Sequence, residues 1–238
     1  MLPRFLTDMI ADVRTLADIV NQTAAITDAM ITEWLNKGLF EVHVAFVAAG
    51  GDKMYRTSSS ITTVAGTASY NLPFTMLELT AVEMAVNGSD RVMLRPFETI
   101  DRPYLLSASP GWSGEPAYYR IQGKNTAVSQ GTIELLPTPT GVYAVTLWYI
   151  YAPSRLVVGG DSFDGVAGFE DYAIKYAVQH CAVKEENFEL AAWCAGEMVR
   201  IKADAIATIR NRDALSPARV SMVRDLWTPR SRARRYRL

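Results

Sequence analysis

The sequence predicts an α+β fold, a four-helix core built from N- and C-terminal helical hairpins with an inserted antiparallel β unit and an extended C-terminal arm. Three observations carry this. Apolar residues recur at steps of three and four up to Gly50 and again from Phe169, the spacing of one buried helical face. Between Gly51 and about Gly160, β-branched and aromatic residues, Gly and Pro replace that spacing, as strands and turns require. The last 22 residues follow neither pattern and are dominated by arginine. The implied units are a helical hairpin at 1–50, a β domain at 51–160, a second hairpin at 161–212 and an arm at 213–238. A chain of 238 residues with 49% apolar content is long enough to bury a sizeable core.

The first helix is expected from Arg4 to about Val20, with Phe5, Met9, Val13, Leu16 and Val20 on its buried stripe. Thr27 and Asp28 supply an N-cap side chain and a first-turn negative charge for a second helix. Its stripe is Ile31, Leu35, Leu39, Val42 and Phe46, and it ends at Gly50-Gly51. These two helices should form an antiparallel hairpin.

In the β region, Ile61 to Val64 and Ser69 to Leu72 flank the turn-like Ala65-Gly66-Thr67, which reads as a hairpin. Leu79 to Val86 is followed by Asn87-Gly88, the strongest two-residue hairpin signal. Val82, Met84 and Val86 then share a strand face and answer Val92 and Leu94 across that turn. Tyr118 to Gln122, Thr132 to Leu136 and Val142 to Ala152 read as three more strands, the last two joined by Pro137 to Gly141. The segment from Pro103 to Pro116 reads as a long exposed loop of the kind that contacts partners.

Helical spacing resumes with Phe169, Tyr172, Tyr176 and His180, and small Ala173 and Ala177 beside them leave room for a close helix neighbour. A fourth helix is expected from about Glu189 to Asn211, with Leu190, Cys194, Met198, Ile201 and Ala205 as its stripe. Neither hairpin can hide its apolar face alone, so packing the two together gives the four-helix core.

Charge divides the chain. Pro217 to Leu238 carries seven arginines and one acid, Asp225, leaving 17 basic and 24 acidic residues in the 216 before it. An acidic body thus ends in a basic arm that contains no Lys. Guanidinium groups bind carboxylates and phosphates as bidentate forks, and Leu226, Trp227 and Tyr236 set apolar anchors among Arg219, Arg224, Arg230, Arg232, Arg234, Arg235 and Arg237. The arm reads as a docking segment, a frayed and solvated tail being the alternative.

Little else carries chemistry. The N-terminus lacks the charged and apolar regions of a secretory signal, and no apolar run is long enough to span a bilayer. Two cysteines, Cys181 and Cys194, are too few for a disulfide framework or a four-ligand zinc site, so a cytoplasmic protein with free thiols is expected. The only histidines, His43 and His180, have no second ligand at helical spacing, and no metal or cofactor is expected. Asp161-Ser162-Phe163-Asp164-Gly165 resembles part of a calcium loop, but Phe163 stands where an oxygen ligand belongs. Asx turns leading into the third helix explain the aspartates, with Glu170 and Asp171 at that helix's positive end. Ser58-Ser59-Ser60 lacks a G-x-S-x-G context, and no Gly-rich loop matches a nucleotide-binding pattern. Tyr143, Trp148, Tyr149 and Tyr151 read as strand core rather than base-stacking groups. No catalytic residue is assigned.

The stretches Val13 to Asp18, Thr27 to Gly38 (TDAMITEWLNKG) and Thr62 to Pro73 (TTVAGTASYNLP) resemble, in this order, the head-to-tail adaptor (connector) proteins of tailed bacteriophages, of podophage type. Leu94 to Phe97, Leu147 to Pro153 and Asp161 to Tyr172 look like that family's strand and strand-to-helix joints. Lys184-Glu185-Glu186 and Asn211-Arg212-Asp213 look like its hairpin turn and tail entry. The resemblance covers roughly residues 10 to 225. It implies a non-enzymatic structural virion protein, made in the host cytoplasm, that forms a ring, usually dodecameric, beneath the portal. Such a ring joins the portal to the tail nozzle or another tail protein and extends the DNA channel, through which DNA passes without sequence-specific binding and without a membrane partner. It also implies helices in the ring wall, the β unit toward the tail, and a C-terminal segment docked on the portal protein, the role that would fall to the arginine-rich arm. The arm's basicity beyond Pro229 departs from the family pattern and leaves open whether it meets portal carboxylates or DNA. Two alternatives stand beside this reading: a nucleic-acid-binding module that uses the arm, which the acidic body opposes, and an adaptor with added cell-wall-degrading activity.

Overall fold

The computed structural model describes residues 4–20, 23–86, 90–107, 114–123, 131–163 and 169–213. Among them are five α-helices and two four-stranded sheets, a mixed α and β architecture. The first helix, α1 (Leu6–Leu16), is shorter than its apolar spacing suggests. Asp18 adopts a left-handed φ of 56°, which turns the chain and sends Ile19 and Ile26 into the core. The buried side chains are therefore Leu6, Met9, Val13 and Ile19, whereas Phe5, Leu16 and Val20 of the expected stripe are exposed.

The second helix, α2 (Asp28–Ala48), forms as expected. The Thr27 hydroxyl accepts from the Met30 amide at 3.4 Å, satisfying one of the donors a helix start leaves free. All five stripe residues, from Ile31 to Phe46, are buried. Helix α4 (Glu170–Lys184) contacts α1, α2 and α5 (Phe188–Asp213). Its small residues do what their size permits: a Cβ on Gly38 of α2 would stand 2.9 Å from the Ala173 Cα, so the two backbones meet where neither has bulk. One apolar cluster joins Met9 and Val13 of α1, Ile31 and Leu35 of α2, Ala177 and Cys181 of α4, and Cys194 of α5.

The strands are β1 (Arg56–Thr62), β2 (Ser69–Asn71), β3 (Met76–Ala85), β4 (Arg91–Met93), β5 (Arg95–Pro96), β6 (Tyr118–Gln122), β7 (Thr132–Leu136) and β8 (Ala144–Tyr151). They make one sheet in the order β1-β8-β3-β4 and another in the order β2-β7-β6-β5. Pairing is antiparallel except between β5 and β6. The expected hairpin around Gly66 does not form, because β1 pairs with β8 and β2 with β7, in different sheets. The chain turns a corner there. The Tyr70 hydroxyl fixes it by bonding the Val64 amide at 2.9 Å and the Thr67 carbonyl at 2.7 Å, and Gly66 supplies a φ of 79°.

Between β3 and β4, Met84 lies opposite Val92, and the Leu94 amide donates to the Val82 carbonyl at 2.9 Å. Leu94 is buried as expected, but Val92 is exposed because the edge strand β4 has no neighbour on its outer side among the described residues. Asn87 and Gly88 lie outside those residues. The segment expected as a loop from Pro103 opens instead within a short helix, α3 (Arg102–Ser107); residues 108–113 are not described. The two sheets share a core of Val82, Met84, Val145 and Leu147 against Leu72, Ile133 and Leu135. Tyr55 and Ile150 join the first sheet to α2, α4 and α5 through Val42, Phe46, Tyr172 and Met198.

Candidate functional site

All ten residues expected to bind a partner (Arg219, Arg224, Leu226, Trp227, Arg230, Arg232, Arg234, Arg235, Tyr236 and Arg237) lie outside the described residues. What the structure supplies is the body to which that arm is attached, and its candidate contact surfaces lie along α2 and α5.

Two sequence motifs prove to be halves of one joint. Arg14, in α1, bonds Asp28 at 2.6 Å and the Ile26 carbonyl at 2.9 Å through Nη2. Its side chain is only 11% exposed, so one guanidinium fork locks the approach to α2 onto α1. Asn36 makes a second joint that the sequence reading did not single out. Its side-chain amide donates to the Leu156 carbonyl at 2.9 Å, and its Oδ1 accepts from the Leu156 amide at 2.8 Å. This pairing holds the segment after β8 against α2, and Arg155 adds an ion pair with Glu33 at 3.1 Å. The sequence signal was present, since Asn36, a poor helix former, stands in mid-helix beside the apolar stripe.

These joints frame an open cavity of about 430 Å³ lined by Leu39, Phe40, Tyr176 and Pro153, with Glu33 and Glu41 among its acids. Glu41 accepts from the Tyr172 hydroxyl at 2.6 Å. Burial first, and then this carboxylate, push the Tyr172 pKa well above the usual phenol range. A second groove, of about 540 Å³, continues along α2 to α5, lined by Phe40, Val44, Ala48, Lys202 and Ile206.

The histidines are packing groups. His43 is fully buried with the Tyr55 ring at 4.3 Å. His180 lies 5.5 Å from Trp34 and 4.7 Å from Tyr176, and burial, followed by the charge of Lys37, lowers its pKa. Cys181 and Cys194 are buried and unpaired. Burial pushes the Cys181 thiol up to about 11 and raises that of Cys194. Asp161 turns back along the chain instead of making the expected Asx turn forward into α4. Its Oδ2 accepts from the amides of Val157 and Val158 at 2.7 and 2.8 Å, which lowers its pKa and closes the turn before α4 rather than leading into it. Asp164 and Gly165 are outside the described residues. Ser58 to Ser60 lie in mid-strand opposite Trp148, Leu147 and Thr146. Tyr149 is buried, and Tyr143 and Tyr151 pack on the inter-sheet core.

Glu134 is the most enclosed charge in the β unit. It is 5% exposed and pairs with Arg120 at 2.5 Å and Arg102 at 3.1 Å, with Gln122 donating to it as well. Taking a carboxylate out of water is costly unless partners satisfy its oxygens, and these three donors do so. The network ties α3 to β6 and β7, a structural task. Among the described residues, no three His, Cys, Asp or Glu side chains gather as a metal site, and no helix is long and apolar enough to cross a membrane.

A helical body packed against a two-sheet unit, with its sequence motifs spent on joints between elements, fits a structural component, and comparison with known families supplies the class: the protein is a phage structural adaptor. The chain belongs to the SU10 adaptor protein family, whose model matches residues 5–223. No curated protein matches the chain significantly. The family match takes in every described element and reaches into the arm as far as Val223, so Arg219 falls within it and the other nine candidate residues beyond.

Proposed function

We propose that the protein is a non-enzymatic head-to-tail adaptor whose copies form a ring, dodecameric by family resemblance, between the portal and a tail protein. The helical segments act as the four-helix core and build the ring wall around the DNA channel. The β unit faces the tail, and the arginine-rich arm docks on the portal. The observation that carries this reading is the adaptor-family match across residues 5–223, supported by the division of charge between an acidic body and a basic arm. An acidic wall suits a channel through which DNA must slide, since it offers the phosphates no counterion to exchange for. The arm's guanidinium forks suit an acidic protein surface.

Electron microscopy of a cognate portal ring, incubated with and without the purified chain, tests the proposal. The expected result is an additional ring of density coaxial with the portal. If the chain leaves the portal unchanged and coats DNA instead, the nucleic-acid-binding reading replaces this one.

A further inference from the structure

Three of the four sheet edges are short: β2 and β4 have three residues each and β5 has two. The fourth, β1, has seven, and its only charge, Arg56, stands at its start, whereas guarded edges carry Lys, Pro or a bulge along their length. Its ladder with β8 shows which groups stand open. The Thr63 amide donates to the Tyr143 carbonyl and the Tyr151 amide to the Tyr55 carbonyl, in the register that pairs Ser59 with Leu147. Odd-numbered residues of β1 therefore bond β8, and even-numbered ones point their amides and carbonyls away from it. Those of Ser58, Ser60 and Thr62 meet no further strand among the described residues, a row spaced to receive one. On the core face of the same edge, Ile61 packs on the inter-sheet core and yet is only half-buried, so the core lacks cover on this side.

The chain itself holds a segment that fits. Helix α5 approaches its end beside this edge: Ile209 is buried in one cluster with Tyr55, the residue before β1, and with Ile150, the register partner of Arg56. Beyond the helix, between Pro217 and Asp225, Ala218, Val220 and Met222 alternate with Arg219 and Ser221, the period of a strand with one apolar face. The family match takes in this run, ending at Val223, and leaves out the arginine-dense remainder. Only residues 214–217 separate the run from α5, and so short a tether gives an effective concentration on the order of millimolar, which favours the edge of the same chain over that of another copy. We propose that residues 218–223 add as a fifth strand to the β1 edge of their own chain, with Val220 and Met222 covering Ile61. The arm is then divided into an anchored stalk and a free basic end, Arg224 to Leu238, that carries Leu226 and Trp227. This inference does not depend on the ring reading.

Site-resolved amide exchange tests it on the full chain and on chains ending at Val223 and at Ser216. The amides of Ser58, Ser60 and Thr62 should exchange slowly in the first two and about tenfold or more faster in the third, while the interior strand β8 stays equally protected and shows all three folded. In the full chain, Val220→Pro combined with Ser221→Pro removes a strand donor whichever way the segment runs and leaves the body untouched, so it should match the chain ending at Ser216. Cross-linking with a bis-maleimide identifies the chain that supplies the strand. The double variant Ser60→Cys with Ser221→Cys should couple within one chain, and a mixture of the two single variants should give no dimer; Cys181 and Cys194, both buried, stay out of the reaction. Equal exchange of the three amides in all forms would show the edge open and overturn the proposal. Protection that survives in the chain ending at Ser216 overturns it as well, as does protection that is lost with residues 224–238 alone. Coupling only between chains would assign the strand to another copy and overturn the contact proposed here.

Discussion

Gly38 shows how much one missing methyl group decides. Alanine in its place gains about 1 kcal/mol of helix propensity, but the added Cβ would lie 2.9 Å from the Ala173 Cα and 3.0 Å from the Tyr176 Cβ. One of those atoms is backbone, so α2 and α4 must separate, and overpacking of this kind costs about 1 to 3 kcal/mol. The clash outweighs the propensity, and Gly38→Ala should lower the urea midpoint; an unchanged or raised midpoint would show that the helices separate freely. Cys181 gives a prediction in pH. Burial holds its folded thiol at about 11, above the ordinary 9.0, so folding favours the protonated form. The resulting stability is complete below pH 9 and is lost as pH rises from 9 toward 11. Iodoacetamide at pH 8 should leave both cysteines unmodified in the native chain and label two in guanidinium, as read by intact mass; rapid native labelling would mean the hairpin core is open.

At the scale of elements, long periodic helices were legible and their ends were not. The α2 stripe was readable because 21 helical residues repeat the pattern until only one face satisfies it, and the Thr27 cap marks the start. For α1 the same reading found the middle of the stripe, Met9 and Val13, but not its ends: Phe5 and Val20 lie outside a helix of 11 residues that a left-handed Asp18 follows, and Leu16 is exposed at its last position. Most strands were placed to within a few residues, but β1 (Arg56–Thr62) starts five residues before the expected Ile61, and the strands flanking Gly66 were mispaired, since partners such as Ser59 and Leu147 lie 88 residues apart in sequence and no local pattern records that. The joint made by Asn36 was missed for the same reason: its partner, Leu156, is 120 residues away. These two outcomes for helix stripes make a paired prediction. Leu35→Ala, at a fully buried position, should cost about 2 to 5 kcal/mol through lost transfer energy and a residual cavity. Leu16→Ala, at a 43% exposed position, should fall within about 0.5 kcal/mol. Comparable losses in chemical denaturation would restore the longer α1.

For the whole molecule, the division of charge determines how the arm and body must behave as salt is varied. Pro217 to Leu238 holds seven of the chain's 24 basic residues in 22 positions, too charged a segment to bury much apolar area on its own. Its affinity must come from a partner. If that partner is an acidic portal surface, Trp227 provides the desolvated anchor, where interface energy concentrates, and the arginines supply forks of about 1 kcal/mol or less each where exposed. Removal of residues 217–238 should then abolish capture of the chain by portal rings, Trp227→Ala should weaken it at least tenfold, and single arginine changes should each have a few-fold effect. Raising the ionic strength from about 0.05 to 0.5 M should weaken the wild type and Trp227→Ala by similar factors, because screening acts on the forks that both retain and leaves the anchor's contribution intact. Pull-down and mass photometry at the two ionic strengths separate these terms. Undiminished capture of the truncated chain would move portal recognition from the arm to the helical body. There the grooves along α2 become the surfaces to mutate.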